Sequence, residues 1–355
     1  MKSVTTLVAA GVVIVMTPFV VISYLGRNGG SAGDGSYSSP AIEDFLESNY
    51  VFASVERDRN DAPSGTGLIN DTSEQDGAFI SDAILKDNVV YAASTDGVVV
   101  HNLADGVTTL IPTAQPVTAL AELGDQLLVG GDRLYSITDE ALIEECAPCV
   151  LYGTITALHP YGVDLLIGTD AGLNLYDFNR TRELASGFRV TAIASDPDGA
   201  WIGTAGDGLY RWDGVSFSKR YLKRDSTLFD NITALAYGHQ RLYLGGDKGL
   251  FVFDGGCWRQ YGLADGLPSE LITAIDASGW VVRIGTANGP VTFYDDKFTL
   301  MPHMEGLAVT KFVGDGSRLV AATSHAGLIM KSGGLVTTLY NGETISPQTA
   351  LDEGW

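Results

Sequence analysis

Val190-Thr191-Ala192-Ile193-Ala194 is followed by Asp196-Pro197-Asp198-Gly199, then Trp201-Ile202-Gly203-Thr204, Gly206-Asp207-Gly208, Leu209-Tyr210-Arg211-Trp212, Asp213-Gly214 and residues 217–221. Short runs of β-branched and aromatic residues alternate with Asp-Gly turns, which is the chemistry of antiparallel hairpins. The stretch therefore predicts four consecutive strands in one up-and-down sheet.

The same unit recurs through residues 79–340. Its openings are Ile80-Ser81-Asp82-Ala83, Val117-Thr118-Ala119-Leu120, Ile155-Thr156-Ala157-Leu158, Val190-Thr191-Ala192-Ile193, Ile232-Thr233-Ala234-Leu235, Ile272-Thr273-Ala274-Ile275 and Val309-Thr310-Lys311-Phe312. They are spaced by 37, 38, 35, 42, 40 and 37 residues. A period near 40 built of short strands and glycine turns specifies a closed array of blades. The expected fold is an all-β seven-bladed β-propeller of four-stranded antiparallel blades. Second strands carry Gly130, Gly168, Gly203, Gly245 and Gly285. Blades crowd near the axis, so small residues belong where neighbouring sheets approach. The first strand of each repeat is accordingly placed innermost. Ring closure is less defined, because the first and last repeats each supply four strands; residues 49–55 are a candidate extra edge strand.

The residues also resemble a known family. Val190-Thr191-Ala192-Ile193, Trp201-Ile202-Gly203-Thr204, the run Gly208–Gly214 and Asp265-Gly266-Leu267-Pro268-Ser269 are similar to the two-component-regulator propeller repeat. That resemblance implies a bacterial propeller, often the periplasmic sensor half of a signalling kinase. This chain departs from that arrangement: 15 residues follow Tyr340, with no kinase, receiver or DNA-binding segment among them.

Residues 3–26 carry no charge and are mostly apolar. About 20 such residues span a bilayer as a helix. Residues 1–26 are therefore expected to be a transmembrane anchor, with Leu7, Val12, Ile14, Phe19, Ile22 and Leu25 among its apolar residues. A cleaved signal peptide is the alternative; its apolar core is usually shorter, about 7–15 residues. Lys2 before the segment places the N-terminus in the cytoplasm and the propeller in the periplasm of a bacterial inner membrane. Residues 27–45 read as a Gly/Ser-rich tether, 46–78 as an N-terminal extension and 341–355 as a tail.

The formal charge is −21. Nucleic-acid binding needs a basic surface and is excluded as a leading function. Many of the acids belong to turns. One local exception, Lys219, Arg220, Lys223 and Arg224, forms a candidate docking patch for an acidic partner or a lipid head group; the competing and favoured reading is an edge strand guarded against sheet pairing. Cys146 and Cys149 have the spacing of a short local disulfide in an oxidising compartment. A zinc ribbon would need a second pair. Cys257 reads as a small apolar residue beside Trp258. The five histidines are scattered over different repeats and form no catalytic or metal motif. No catalytic residue, cofactor or metal site is expected.

Three function classes remain. The first is a non-enzymatic accessory subunit of an integral-membrane complex, for instance a respiratory or photosynthetic one. The second is a periplasmic sensor binding a small molecule or glycan and signalling through a separate membrane partner. The third is a propeller lyase or hydrolase assembled from distant loops.

Overall fold

The computed structural model describes residues 77–138, 141–145, 151–221 and 231–342, with the side chains of 219–221 left aside, and the backbone of three short strands nearer the N-terminus. Those strands are Thr6–Ala9, Val12–Val15 and Val55–Arg57, paired antiparallel in that order in a unit of their own, residues 1–76. The transmembrane helix expected over residues 1–26 is not shown. Leu7, Val12 and Ile14 fall on strands, whereas Phe19, Ile22 and Leu25 lie outside the described residues. A run such as Val12-Val13-Ile14-Val15 is β-branched throughout, and apolar length alone does not separate strand from helix. Among the described residues no helix is long and apolar enough to cross a membrane.

The second unit contains seven four-stranded antiparallel sheets, each made of consecutive strands. Blades 1 to 7 begin at Ile80, Ala119, Ile155, Val190, Ile232, Ile272 and Val309. In blade 4 the strands are Val190–Asp196, Gly199–Thr204, Leu209–Trp212 and Phe217–Tyr221, matching the repeat read from the sequence. First strands of successive blades neighbour one another around the ring, and that of blade 7 neighbours that of blade 1. They are the innermost strands, as expected.

The opening motif has a specific job. In six blades the first strand bulges between its first and third residues, so Ser81, Thr156, Thr191, Thr233, Thr273 and Thr310 stand outside the ladder. A bulge re-aims the extra residue. Here the freed hydroxyl donates to the carbonyl of the first motif residue in the next blade, and Thr118 does the same in blade 2. The seven bonds, 2.5–3.2 Å long, run once around the ring, ending with Thr310 Oγ1 donating to Ile80 O. At about 1 kcal/mol each, they make every blade interface partly polar and directional.

The glycine column completes the fit. A Cβ on Gly130, Gly168 or Gly203 would come within 2.5–2.6 Å of the Ile155, Val190 or Ile232 side chain, and Gly245 meets Ile272 in the same way. The first motif residue of the following blade thus seats in the gap that glycine leaves. Ala93 and Ala322 occupy this column in blades 1 and 7.

No described blade borrows a strand from the other chain end. Of the candidate edge strand at 49–55 only Val55 is described, and it pairs with Ile14 rather than with a blade. The ring is closed instead by Ala78, whose N–H donates to Asn341 O and whose carbonyl accepts from Gly327 N, each at 3.0 Å. Beneath it, Ile80, Ala83 and Val90 of blade 1 share a core with Val320, Ala322 and Leu328 of blade 7.

Candidate functional site

Two regions can meet a ligand or partner: the channel between the first strands, and the faces formed by the turns. The third motif residue is alanine in five blades, but Asp82 in blade 1 and Lys311 in blade 7. These two blades meet at the closing seam. Lys311 Nζ lies 2.8 Å from Asp82 Oδ1. Asp82 also accepts from Ala83 N and Leu120 N, both at 2.9 Å, so one carboxylate ties blades 7, 1 and 2 together. The Asp82 charge holds the Lys311 ammonium above the usual lysine value.

Further along the first strands, His159 of blade 3 is 2.9 Å from Ser195 Oγ of blade 4 through Nε2. Burial, aided by the positive charge of Lys311, lowers His159 to about 4, so the imidazole is neutral at pH 7. A neutral histidine beside a serine is two-thirds of a nucleophilic triad. Among the described residues no carboxylate is seen bonded to the other ring nitrogen. Acids of the same strands are engaged elsewhere. Asp276 accepts from Arg283 Nη1 at 2.6 Å and from Ser278. Asp196 accepts from Arg211 Nη2 at 2.6 Å and Trp201 Nε1 at 2.7 Å, and Arg211 stacks over the Trp201 ring at 4.6 Å. Among the described residues no group of three or more His, Cys, Asp and Glu could hold a metal.

The turn faces differ in composition. In an up-and-down blade, the turns joining strands one to two and three to four emerge on one face of the disc. The remaining turn and the links between blades emerge on the other. Of eleven exposed large apolar residues among the described ones, five lie in turns of the first face, Val107, Val163, Phe178, Val215 and Trp280, and Tyr294 and Leu335 are strand ends that border such turns. Trp280 is 94 % exposed and Val215 95 %. Tyr152 and Leu263 lie on the opposite face, Leu300 is a strand end that borders it, and Ile143 lies on an outer strand. Phe178 also has φ of +65°, a conformation that costs a bulky residue and that glycine or asparagine adopts freely.

Of the candidates read from sequence, Lys219 and Arg220 lie on the outer strand of blade 4, Phe217–Tyr221, and Lys223 and Arg224 lie outside the described residues. Cys146 and Cys149 also lie outside them. Cys257 is exposed rather than packed: it occupies the turn after Asp254, whose carboxylate accepts its N–H at 3.0 Å. Sequence reading missed the Asp82–Lys311 pair, although the break in the alanine column marks it. It also missed the apolar face, which shows as a large residue inside a turn, as in Gly162-Val163, Gly214-Val215 and Gly279-Trp280.

The sequence matches no family model and no curated protein. Solved structures share the fold. The extracellular domain of a hybrid two-component system from B. thetaiotaomicron superposes with a TM-score of 0.52 at 14 % identity, over 71 % of this chain and 45 % of that one. YCF48 bound to a D1 peptide gives 0.59 at 9 % identity, over 73 % and 93 %. A chain of the mitotic checkpoint complex gives 0.57 at 17 % identity, over 79 % and 98 %. The chain thus spans less than half the length of the two-component relative. At these identities the likeness is one of fold.

Proposed function

We propose that the chain is a non-enzymatic protein-interaction propeller whose partner seats on the face made by the first–second and third–fourth turns. The observation that carries this reading is the concentration of exposed large apolar side chains on that face. Turn tips ordinarily hold Asp, Asn and Gly. A tryptophan 94 % exposed at such a tip is favoured when a second surface covers it. Phe178 adds to this, since its strained backbone is retained at a tip where glycine would relax it. In this reading the partner is an integral-membrane protein and the chain is its accessory subunit, anchored in a bacterial inner membrane with the propeller in the periplasm. The apolar N-terminal segment supports that placement.

A mild-detergent pull-down of the full-length chain tests it. Wild type and Leu263→Asp, on the opposite face, should retain a stoichiometric membrane protein that Val215→Asp/Trp280→Asp loses. Retention by the double variant, or absence of any companion, would contradict the reading. Phe178→Gly relieves the backbone but gives up the ring contact with Tyr176 at 5.4 Å, and it should weaken capture; unchanged capture would remove Phe178 from the interface.

A second reading is a sensor binding a small molecule or glycan at the channel mouth. The repeat's resemblance to two-component-regulator propellers supports it, as does the fold likeness to an extracellular two-component domain. The polar groups there would be Lys311, His159 and Ser195. The lyase or hydrolase reading is supported only by the His159–Ser195 contact.

A further inference from the structure

A cavity of about 230 Å³ opens between blades 1 and 2, on the face opposite the apolar turns. Its walls include Pro116, Val117, Val129 and Leu142, and its polar groups include Asp132 and Tyr135. At roughly 30 Å³ per water it holds on the order of seven waters, enough for a monocyclic small molecule.

Two blades depart from the others at the turn beside the end of the second strand. At the end of the second strand, Ser94, Thr169, Thr204, Thr286 and Thr323 are buried and donate to the carbonyl of Gly97, Gly172, Gly208, Gly289 and Gly327, knotting the turn that follows. Blade 2 has Gly131-Asp132 at this position and blade 5 has Gly246-Asp247, so the cavity beside blade 2 depends also on the link that precedes the blade, Pro112 to Val117, which lines it. Gly131 forms part of the cavity wall and brings no side chain into it. The next turn is left with Asp132 exposed, its Oδ1 accepting from Tyr135 Oη at 3.1 Å. That hydroxyl is directed onto the carboxylate, whose second oxygen is left for a ligand. Among the described residues that line the cavity there is no lysine, arginine or histidine, and the whole chain carries −21. Arg133, next in sequence to Asp132, is already paired with Glu144 Oε1 at 2.6 Å, so an apolar pocket with one carboxylate at its rim and the neighbouring cation engaged elsewhere favours a positively charged, partly apolar guest.

We propose that this cavity binds a small primary amine, with its alkyl or aryl body against Val117, Val129 and Leu142 and its ammonium on Asp132. The site stands apart from the interaction face, and its test does not depend on any partner.

Isothermal titration of the full chain at pH 7 with benzylamine, benzyl alcohol and benzoate reads the claim. Benzylamine should bind at least about tenfold more tightly than either analogue, the discrimination expected when one charge-assisted contact is lost. Asp132→Asn, at an exposed position that leaves the fold intact, should lower benzylamine affinity by about the same factor. Ala114→Trp, at the exposed rim, should abolish it by filling the space. Equal binding of benzoate, unchanged affinity in Asp132→Asn or Ala114→Trp, or no binding of benzylamine would overturn the assignment.

Discussion

Replacing Lys311 by alanine restores the residue that five other blades carry at that position, yet it should destabilise the propeller. The reason is the seam. Blades 1 and 7 are closed without a shared strand, and Asp82–Lys311 is a charged contact across that gap. The lysine side chain is 45 % exposed and the aspartate 13 %. Exposed pairs are worth about 0.2–1 kcal/mol, and a partly buried carboxylate moves this pair to the upper end. Lys311→Ala leaves Asp82 its two amide donors, so a loss of about 1 kcal/mol is expected. Asp82→Ala strips a bond from the amides of Ala83 and Leu120 as well as from the lysine. Its cost should be about 2–3 kcal/mol, since unsatisfied buried donors carry their full desolvation penalty. The double variant should recover about 1 kcal/mol relative to the sum of the singles. Urea denaturation followed by circular dichroism measures all four chains. A coupling indistinguishable from zero would refute the clasp, as would a coupling equally large for the exposed Arg259–Asp296 pair, which joins blades 5 and 6.

Three further outcomes follow from the same geometry. Gly203→Ala places a Cβ 2.5 Å from Ile232 Cγ2, and overpacking of this kind costs about 1–3 kcal/mol; adding Ile232→Ala should recover part of the loss in the same denaturation assay. His159, lowered to about 4 from 6.5, makes the folded state resist protonation. The unfolded chain takes the proton first, so stability should fall as pH drops from about 6.5 to 4 and then level, by up to about 3 kcal/mol from this site. His159→Gln should flatten that limb, and Lys311→Ala should raise the His159 value by NMR titration. Because each blade is a contiguous segment, a circular permutant opened at residue 187, with residues 342 and 77 joined through a short linker, should fold with unchanged circular dichroism. Failure of that permutant beside a folded wild type would show that closure depends on where the chain ends lie.

Much of the fold was legible because its signals are local. The Thr-Ala openings, the glycine column and the Asp-Gly turns each answer a constraint that recurs from blade to blade, so repetition made them visible. Gly203 is a packing requirement, since a Cβ there would lie 2.5 Å from Ile232 Cγ2. Closure was not legible: whether residues 49–55 complete a blade depends on contacts hundreds of residues apart, and the ring is instead joined through Ala78 and the Asp82–Lys311 pair. Those two charged residues were visible only as departures from an alanine column, and their neighbours in space, not in sequence, explain them. The N-terminal expectation rested on apolar length, which Val12–Val15 satisfies as a strand as well as in a helix. Trp280 and Val215 went unmarked in the sequence, because nothing local says which turns share a face until the blades are arranged.

The most direct test of the proposed interface is hydrogen–deuterium exchange of the full chain alone and in the complex recovered by the pull-down. Protection should appear in the turns at residues 162–164, 177–180, 213–216 and 279–281, with the opposite turns at 131–133 and 206–208 unchanged. Protection confined to the opposite turns or to the first strands lining the channel would contradict the account, and the latter pattern would favour the sensor.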